Sequence, residues 1–152
     1  MGAIDNDVAL VTGLYRTTNA AIRELDHRLV RDHQVTFVQA VTLLAIDSFD
    51  RPQPHMVADY LSQQSQTVTG VIDRLERAGH VSRRRDLDDR RAVRLELTRS
   101  GRELAESVGK ALAAQTRAVL SRVAPQVKQR LEAALDDIDE SLRANHGDYP
   151  IE

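Results

Sequence analysis

The chain has 152 residues, no cysteine, no tryptophan and a formal net charge of −2. The absence of cysteine excludes disulfides, zinc–thiolate sites and thiol redox switches. Aromatic residues are only 3% of the chain, which argues against binding of single-stranded nucleic acid through base stacking. The longest apolar run, residues 40–46 with one threonine, is too short to span a bilayer, and no signal-peptide pattern precedes it. These features predict a single cytoplasmic domain over residues 1–152 without a membrane partner.

The first predicted helix covers residues 5–31 and carries an unusually long apolar stripe. Apolar or small side chains recur at intervals of four and three residues, at Ile4, Val8, Val11, Tyr15, Thr18, Ile22, Leu25 and Leu29. This spacing keeps the stripe on one side of the helix for nearly four heptads. The stripe is longer than a small domain needs to dock one helix, so we expect a partner helix from a second copy of the chain.

A helix-turn-helix is predicted next. Thr36 and Gln39 form a capping box that opens a helix running to about Ser48. Residues 49–54 should form a loop because two prolines lie one residue apart, and a short helix follows over residues 55–61. After a tight polar turn, another helix begins near Ser65, the expected N-cap, and ends at Gly79, which supplies a positive φ.

That last helix has two different faces. Val68, Val71, Ile72 and Leu75 should be buried, whereas Gln66, Thr67, Gly70 and Arg74 lie off the buried face. Two strands, residues 81–84 and 93–97, then form a hairpin whose charged loop, residues 86–91, projects as a wing. Residues 73–102 contain 10 arginines against 6 acidic residues, and such local cations favour contact with phosphates. The alternative interpretation is an ordinary solvated charged surface.

The C-terminal part, residues 100–143, is predicted to be helical. A four-three rhythm of apolar residues runs to about Val123, and Pro125 restarts the helix at its first position. A second stripe follows, and the tail over residues 145–152 is expected to fray. The predicted fold class is mainly α with a small β-hairpin wing: a winged helix-turn-helix head, residues 35–98, flanked by N- and C-terminal helices that form a dimerisation bundle.

Three segments together resemble the multiple-antibiotic-resistance regulator (MarR) family over roughly residues 5–143. The resemblance rests on Thr67-Val68-Thr69 with Asp73-Arg74-Leu75-Glu76 and Gly79, on Asp86-x-x-Asp89-Arg90-Arg91, and on Leu97-Thr98-x-x-Gly101-Arg102. It implies a homodimer that represses transcription from a pseudo-palindromic duplex operator and, in many members, is released by a small aromatic or phenolic ligand. The lack of cysteine separates the chain from the thiol-based peroxide sensors, and the lack of tryptophan from the urate-responsive branch.

The candidate DNA contacts fall on the recognition helix and the wing. On the helix, Ser65, Gln66, Thr67, Thr69 and Arg74 offer hydroxyls, an amide and a cation to phosphates or base edges, and Gly70 permits close approach. On the wing, Arg91 is the expected minor-groove contact, aimed by Asp89, while Arg84 and Arg90 reach the backbone. For each residue a purely structural role, as a cap or a surface ion pair, is the competing interpretation.

The sequence also predicts a ligand pocket, and it predicts neither a bound metal nor a cofactor. The pocket residues would be Tyr15, His33, Phe37, Val41 and His55, where ordinary packing roles compete. The five histidines show no metal-ligand spacing, and no nucleophile–base pair or phosphate loop indicates an enzyme. The leading hypothesis is a dimeric repressor that binds duplex DNA; the alternative is a winged-helix module for protein interaction or scaffolding.

Overall fold

In a computed structural model of the chain, residues 5–89 and 91–145 can be described. Contacts divide the chain into two compact units, residues 1–114 and residues 115–152, which are treated separately below. The first unit contains, in order, α1 (Asn6–His33), α2 (Phe37–Ser48), α3 (Pro54–Tyr60), α4 (Ser65–Arg77), β1 (Val81–Arg85), β2 (Val93–Leu97) and most of α5 (Arg99–Val119). The second contains the end of α5, a 3-10 turn (Leu120–Arg122) and α6 (Pro125–Asn145).

These elements confirm the predicted fold class, although some boundaries differ. The expected loop over residues 49–54 ends early, because Pro54 is the first residue of α3, a position where its missing N–H is not needed. The helix expected to reach Val123 stops at Val119 and tightens into the 3-10 turn. Of the tail expected to fray, residues 146–152 lie outside the described residues.

The head is built around one apolar core. The core draws its side chains from α2, α3, α4, both strands and α5, and the fully buried ones include Leu43, Val57, Val68, Ile72, Leu75 and Leu95. The hairpin pairs antiparallel with Val81 opposite Leu97 and Arg85 opposite Val93. The loop before α3 joins the sheet through a hydrogen bond from the Leu95 amide to the Pro52 carbonyl, 2.9 Å. The core therefore fixes α4 and the base of the wing on one scaffold.

A second cluster anchors only the C-terminal half of α1. Leu29 is fully buried against residues of α2 and α5, with Leu25 packed at its edge. The N-terminal half of the same stripe is exposed, Val11 at 63% and Tyr15 at 71%. In the second unit the predicted stripe of α6 is exposed as well, at Val127, Leu131, Leu135 and Leu142. Long apolar surfaces thus remain uncovered within each unit of a single chain.

The segment that follows α4 is held in place by the backbone of Gly79 and the hydroxyl of Thr98. Gly79 has φ 81°, and the amides of Gly79 and His80 bond the carbonyls of Glu76 and Leu75, which together form a Schellman motif. Thr98 then caps α5: its hydroxyl accepts from the Gly101 amide at 3.0 Å and donates to the Gly79 carbonyl at 2.7 Å. One hydroxyl therefore ties the end of α4 to the beginning of α5.

Candidate nucleic-acid interface

The exposed face of α4 carries the polar side chains that the sequence predicts. Val68, Val71, Ile72 and Leu75 are buried, whereas Ser65, Gln66, Thr67 and Thr69 are exposed at the beginning of the helix. Ser65 is not the N-cap as expected: Gln64 holds that position, and no side chain caps the helix. The amides of the first turn are therefore left without a side-chain acceptor, and such groups bind phosphate oxygens well.

Gly70 and Arg74 lie further along α4. A Cβ added at Gly70 would meet no atom within 4 Å, so packing inside the chain does not require glycine at this position. Arg74 is exposed, and within residues 5–89 and 91–145 no carboxylate pairs with it. The carboxylates of Asp73 and Glu76, expected to compete for Arg74, instead bind Arg83 of β1. The Arg74 guanidinium is therefore available to an outside anion.

The base of the wing is held by Asp86. Its carboxylate accepts hydrogen bonds from Arg94 Nε at 2.5 Å and from the amides of Asp88 and Asp89 at 2.8 and 3.3 Å. Its own amide donates to the Ala92 carbonyl at 3.0 Å. The Asp86 side chain is only 14% exposed, whereas its neighbours Leu87, Asp88 and Asp89 are exposed. The sequence pattern predicts a projecting loop here and does not indicate this brace.

Asp89 and Arg91 are brought together, although not as expected. The Asp89 carboxylate accepts from the Arg91 backbone amide at 3.0 Å, and the described residues show no ion pair with the Arg91 guanidinium. Asp89 therefore fixes the backbone of the loop rather than the arginine side chain. Arg84 is exposed, with Glu96 at 4.0 Å as a weak partner. Arg90 lies outside the described residues.

The ion pair at the wing base makes a specific prediction about pH. The Arg94 guanidinium, helped by the amides of Asp88 and Asp89, lowers the pKa of the Asp86 carboxyl from 3.8 to about 2. A lowered pKa means that the brace stabilises the folded wing above the ordinary value and is lost as pH falls through about 2. We expect the Arg94→Gln variant to raise the Asp86 midpoint toward 3.8, measured by a carboxyl-carbon NMR titration. The Arg84→Gln variant is the control, and equal midpoints in the two variants would contradict the assignment.

Leu87 is a further exposed residue of the wing that the sequence argument did not single out. Its side chain is 88% exposed beside the braced Asp86. Single exposed apolar side chains are common on protein surfaces, and the position of this one, two residues after β1, is readable in the sequence. It offers an apolar contact in a loop that is otherwise acidic and basic.

The predicted pocket residues are spread over several elements. An open cleft along the surface of α1, lined by residues of that helix alone, includes Tyr15 but none of the other four predicted residues. His33 Nδ1 lies 3.4 Å from Ser107 Oγ, and the Phe37 amide donates to Asp26 Oδ1 at 2.5 Å. Val41 is partly buried in α2, and His55 is exposed at the beginning of α3. The residues that line the cleft are Gly13, Tyr15, Arg16, Thr17, Asn19, Ala20, Ile22, Arg23 and Asp26.

The described residues contain neither a metal-binding cluster nor a membrane-spanning helix. No group of three or more histidine, aspartate or glutamate side chains in residues 5–89 and 91–145 is arranged to hold a metal ion. In the same part of the chain, none of the helices combines the length and the apolarity needed to cross a bilayer.

Comparison with known proteins gives consistent matches. The sequence model described as "MarR family" matches residues 33–92. The transcriptional regulator TtmR of Methylorubrum extorquens is 36% identical over 76 residues, 50% of this chain and 39% of TtmR. The transcriptional repressor YetL of Bacillus subtilis is 30% identical over 103 residues, 67% of this chain and 62% of YetL. The chain therefore spans less than two thirds of either relative.

The solved structures agree over nearly the whole chain. The transcriptional regulator BldR from Sulfolobus solfataricus is 25% identical, with a TM-score of 0.81 over 92% of this chain and 99% of BldR. An amphipathic recognition helix, a braced wing that carries arginines, and flanking helices together define a winged helix-turn-helix fold. Over residues 33–92 the chain matches the MarR family model, and this is the family that the sequence motifs resemble. The predicted resemblance is confirmed, and the alternative of a protein-interaction module is not favoured. Members of this family are DNA-binding regulators rather than enzymes.

Proposed function

We propose that the protein is a homodimeric repressor that binds a pseudo-palindromic duplex operator and acts in the cytoplasm without catalytic activity. The observation that carries this proposal is a pair of guanidiniums on one braced unit, Arg74 on α4 and Arg91 on the wing, that have no carboxylate partner among the described residues. In both cases the nearby carboxylates are engaged elsewhere, by Arg83 and by the loop backbone. Unpaired arginines beside an uncapped helix N-terminus are suited to phosphates and base edges.

In this proposal α4 and the wing bind different grooves of the duplex. The first turn of α4 enters the major groove, where Gln66 pairs with adenine and the hydroxyls of Ser65, Thr67 and Thr69 contact phosphates or bases. Gly70 allows the helix to approach closely, since the fold itself does not need a glycine there. Arg91 enters the neighbouring minor groove, whose negative potential attracts guanidinium. Arg84 and Arg90 contact the sugar–phosphate backbone.

The dimer is supported by the uncovered apolar stripes of α1 and α6. We expect the Val11→Glu variant to sediment near 17.0 kDa at micromolar concentration, and the wild type near twice that mass. The physical reason is that a carboxylate buried between apolar helices has no compensating partner. The Thr17→Glu variant, which lies off the apolar stripe of α1, should remain dimeric. A wild type that sediments as a stable monomer would contradict the proposal.

The cleft along α1 is the proposed effector site. It presents the cations of Arg16 and Arg23 with the aromatic ring of Tyr15, while Asp26 is held by the Phe37 amide. This combination favours a small aromatic anion, because guanidinium pairs with carboxylate and the ring stacks on an aromatic face. The remaining predicted pocket residues, His33, Phe37, Val41 and His55, stay predictions. Titration with a series of benzoic acids, followed by release of DNA and by the tyrosine fluorescence of the wild type and of a Tyr15→Phe variant, tests the site.

A competitive mobility-shift assay tests the DNA-binding function. The probe is the genomic duplex upstream of the chain's own gene, with and without excess random duplex at moderate salt. A repressor keeps a discrete complex in the presence of the competitor, and its affinity falls steeply with salt because bound phosphates release counterions. A protein-interaction module would show no preference for the upstream duplex.

A further inference from the structure

Arg83 links the wing strand to the recognition helix. It lies on β1 opposite the fully buried Leu95, and its side chain is only 26% exposed. One guanidinium nitrogen, Nη2, lies 2.6 Å from Asp73 Oδ1, and the other, Nη1, pairs with Glu76 Oε2. Asp73 and Glu76 are three residues apart, so they lie on the same side of α4. One planar group therefore holds two carboxylates of a different element.

No other ion pair among residues 5–89 and 91–145 joins α4 to the hairpin. The pair of Arg94 with Asp86 lies within the hairpin, and the pair of Arg51 with Glu96 ties the loop before α3 to β2. The remaining links between α4 and β1 are apolar packing and the tight turn at Gly79. Apolar packing tolerates small shifts, whereas a two-pronged charged hydrogen bond fixes both distance and orientation.

We infer that Arg83 is a positioning residue that sets the placement of the wing relative to the recognition helix. This inference rests on the proposed function, in which α4 and Arg91 occupy neighbouring grooves at the same time. Sequence-specific binding then requires both elements at a fixed separation, whereas non-specific binding needs only cations near phosphates. Loss of the two pairs should lower specific affinity while leaving non-specific affinity almost unchanged.

A different explanation of the same contacts is charge masking. Asp73 and Glu76 lie beside Arg74 on α4, and unpaired carboxylates there would repel phosphates. If masking were the whole role of Arg83, removing the carboxylates along with the arginine would restore or improve binding. If Arg83 positions the wing, that removal would not restore specificity. The two explanations thus predict opposite results for one variant.

Two variants separate these explanations. Arg83→Lys keeps the charge but loses the planar fork. The triple variant Arg83→Met, Asp73→Asn and Glu76→Gln removes the fork and both carboxylates. Arg143→Lys is the matched control, because Arg143 forms a single exposed pair with Asp139 in α6. We expect both Arg83 variants to lose about tenfold in the ratio of specific to random-duplex affinity, the size expected for one charged hydrogen bond.

The position of the wing relative to α4 can also be measured in the absence of DNA, as a distance between two spin labels. The chain contains no cysteine, so spin labels attached to Ala78→Cys and Val93→Cys are the only ones present. Ala78 ends α4 and Val93 is an exposed residue of β2. Dilution with unlabelled chain suppresses distances between protomers. We expect the label-to-label distance distribution to be broader in both Arg83 variants than in the wild type or in Arg143→Lys.

The outcomes distinguish the inference from the proposed function. Broadened distances together with a lowered specificity ratio support the positioning role. Unchanged distances in both Arg83 variants, or wild-type specificity in the triple variant, overturn it. If the wild type shows no preference for its upstream duplex, the proposed function fails, and the label distances alone then decide whether Arg83 fixes the wing.

Discussion

The Arg91→Ala variant is expected to lose about 1–3 kcal/mol in binding free energy for the operator, a factor of about 5 to 150 in affinity, and to remain a dimer. Arg91 is exposed, and its guanidinium has no ion-pair partner among the described residues. Its backbone amide is held by Asp89 and the loop base by Asp86, so truncation of the side chain leaves the loop conformation intact. Fluorescence anisotropy with labelled operator measures the affinity, and sedimentation measures the dimer.

Two controls accompany this variant. Arg130→Ala removes an exposed arginine of α6 and should leave operator affinity unchanged. Arg84→Ala should weaken operator and random duplex by similar factors, since a backbone contact carries no sequence information. Normal protection of the operator by the Arg91→Ala variant would show that the wing assignment is wrong.

The Gly101→Ala variant is expected to be the most damaging single change to the folded state. A methyl group at Gly101 would overlap the backbone carbonyl of His80, whose carbon would lie only 2.9 Å away. Backbone cannot rotate aside as a side chain can, and the Thr98 hydroxyl holds both segments together at this point. We expect a loss of about 3 kcal/mol in the free energy of unfolding, the upper range for overpacking in a buried site. Urea denaturation followed by circular dichroism measures it.

Gly70→Ala is the matched control for that substitution. The added methyl group at Gly70 meets no atom within 4 Å, and α4 gains helix propensity. We therefore expect a small gain in stability, about 0.5–1 kcal/mol. If Gly101→Ala were as stable as the wild type, the close contact between α5 and His80 would not exist in solution.

The local sequence predicts most of the head correctly for identifiable reasons. The capping box of Thr36 and Gln39 is formed with both of its hydrogen bonds. Gly79 has the positive φ expected of a helix stop, and the alternating residues of β2 are buried at Leu95 and Leu97. In each case the deciding interactions lie within a few residues of one another, so periodicity and capping rules suffice to predict them.

The parts that were missed depend on residues far apart in the chain. Arg83 reaches Asp73 and Glu76, 10 and 7 residues earlier, and a run of three arginines gives no sign of which one turns inward. Alternation with the buried Val81 was the one available signal. The Asp86 brace needs Arg94, 8 residues later on the opposite strand. Such pairs are decided by the register of the hairpin, which the sequence pattern alone does not specify.

The most direct test of the account is a hydroxyl-radical footprint of the protein on the duplex upstream of its own gene. A dimer with two winged heads predicts two protected half-sites, with centres about one helical turn apart, and flanking minor-groove protection that disappears with Arg91→Ala. A single protected patch, or uniform protection along the duplex, would contradict the account.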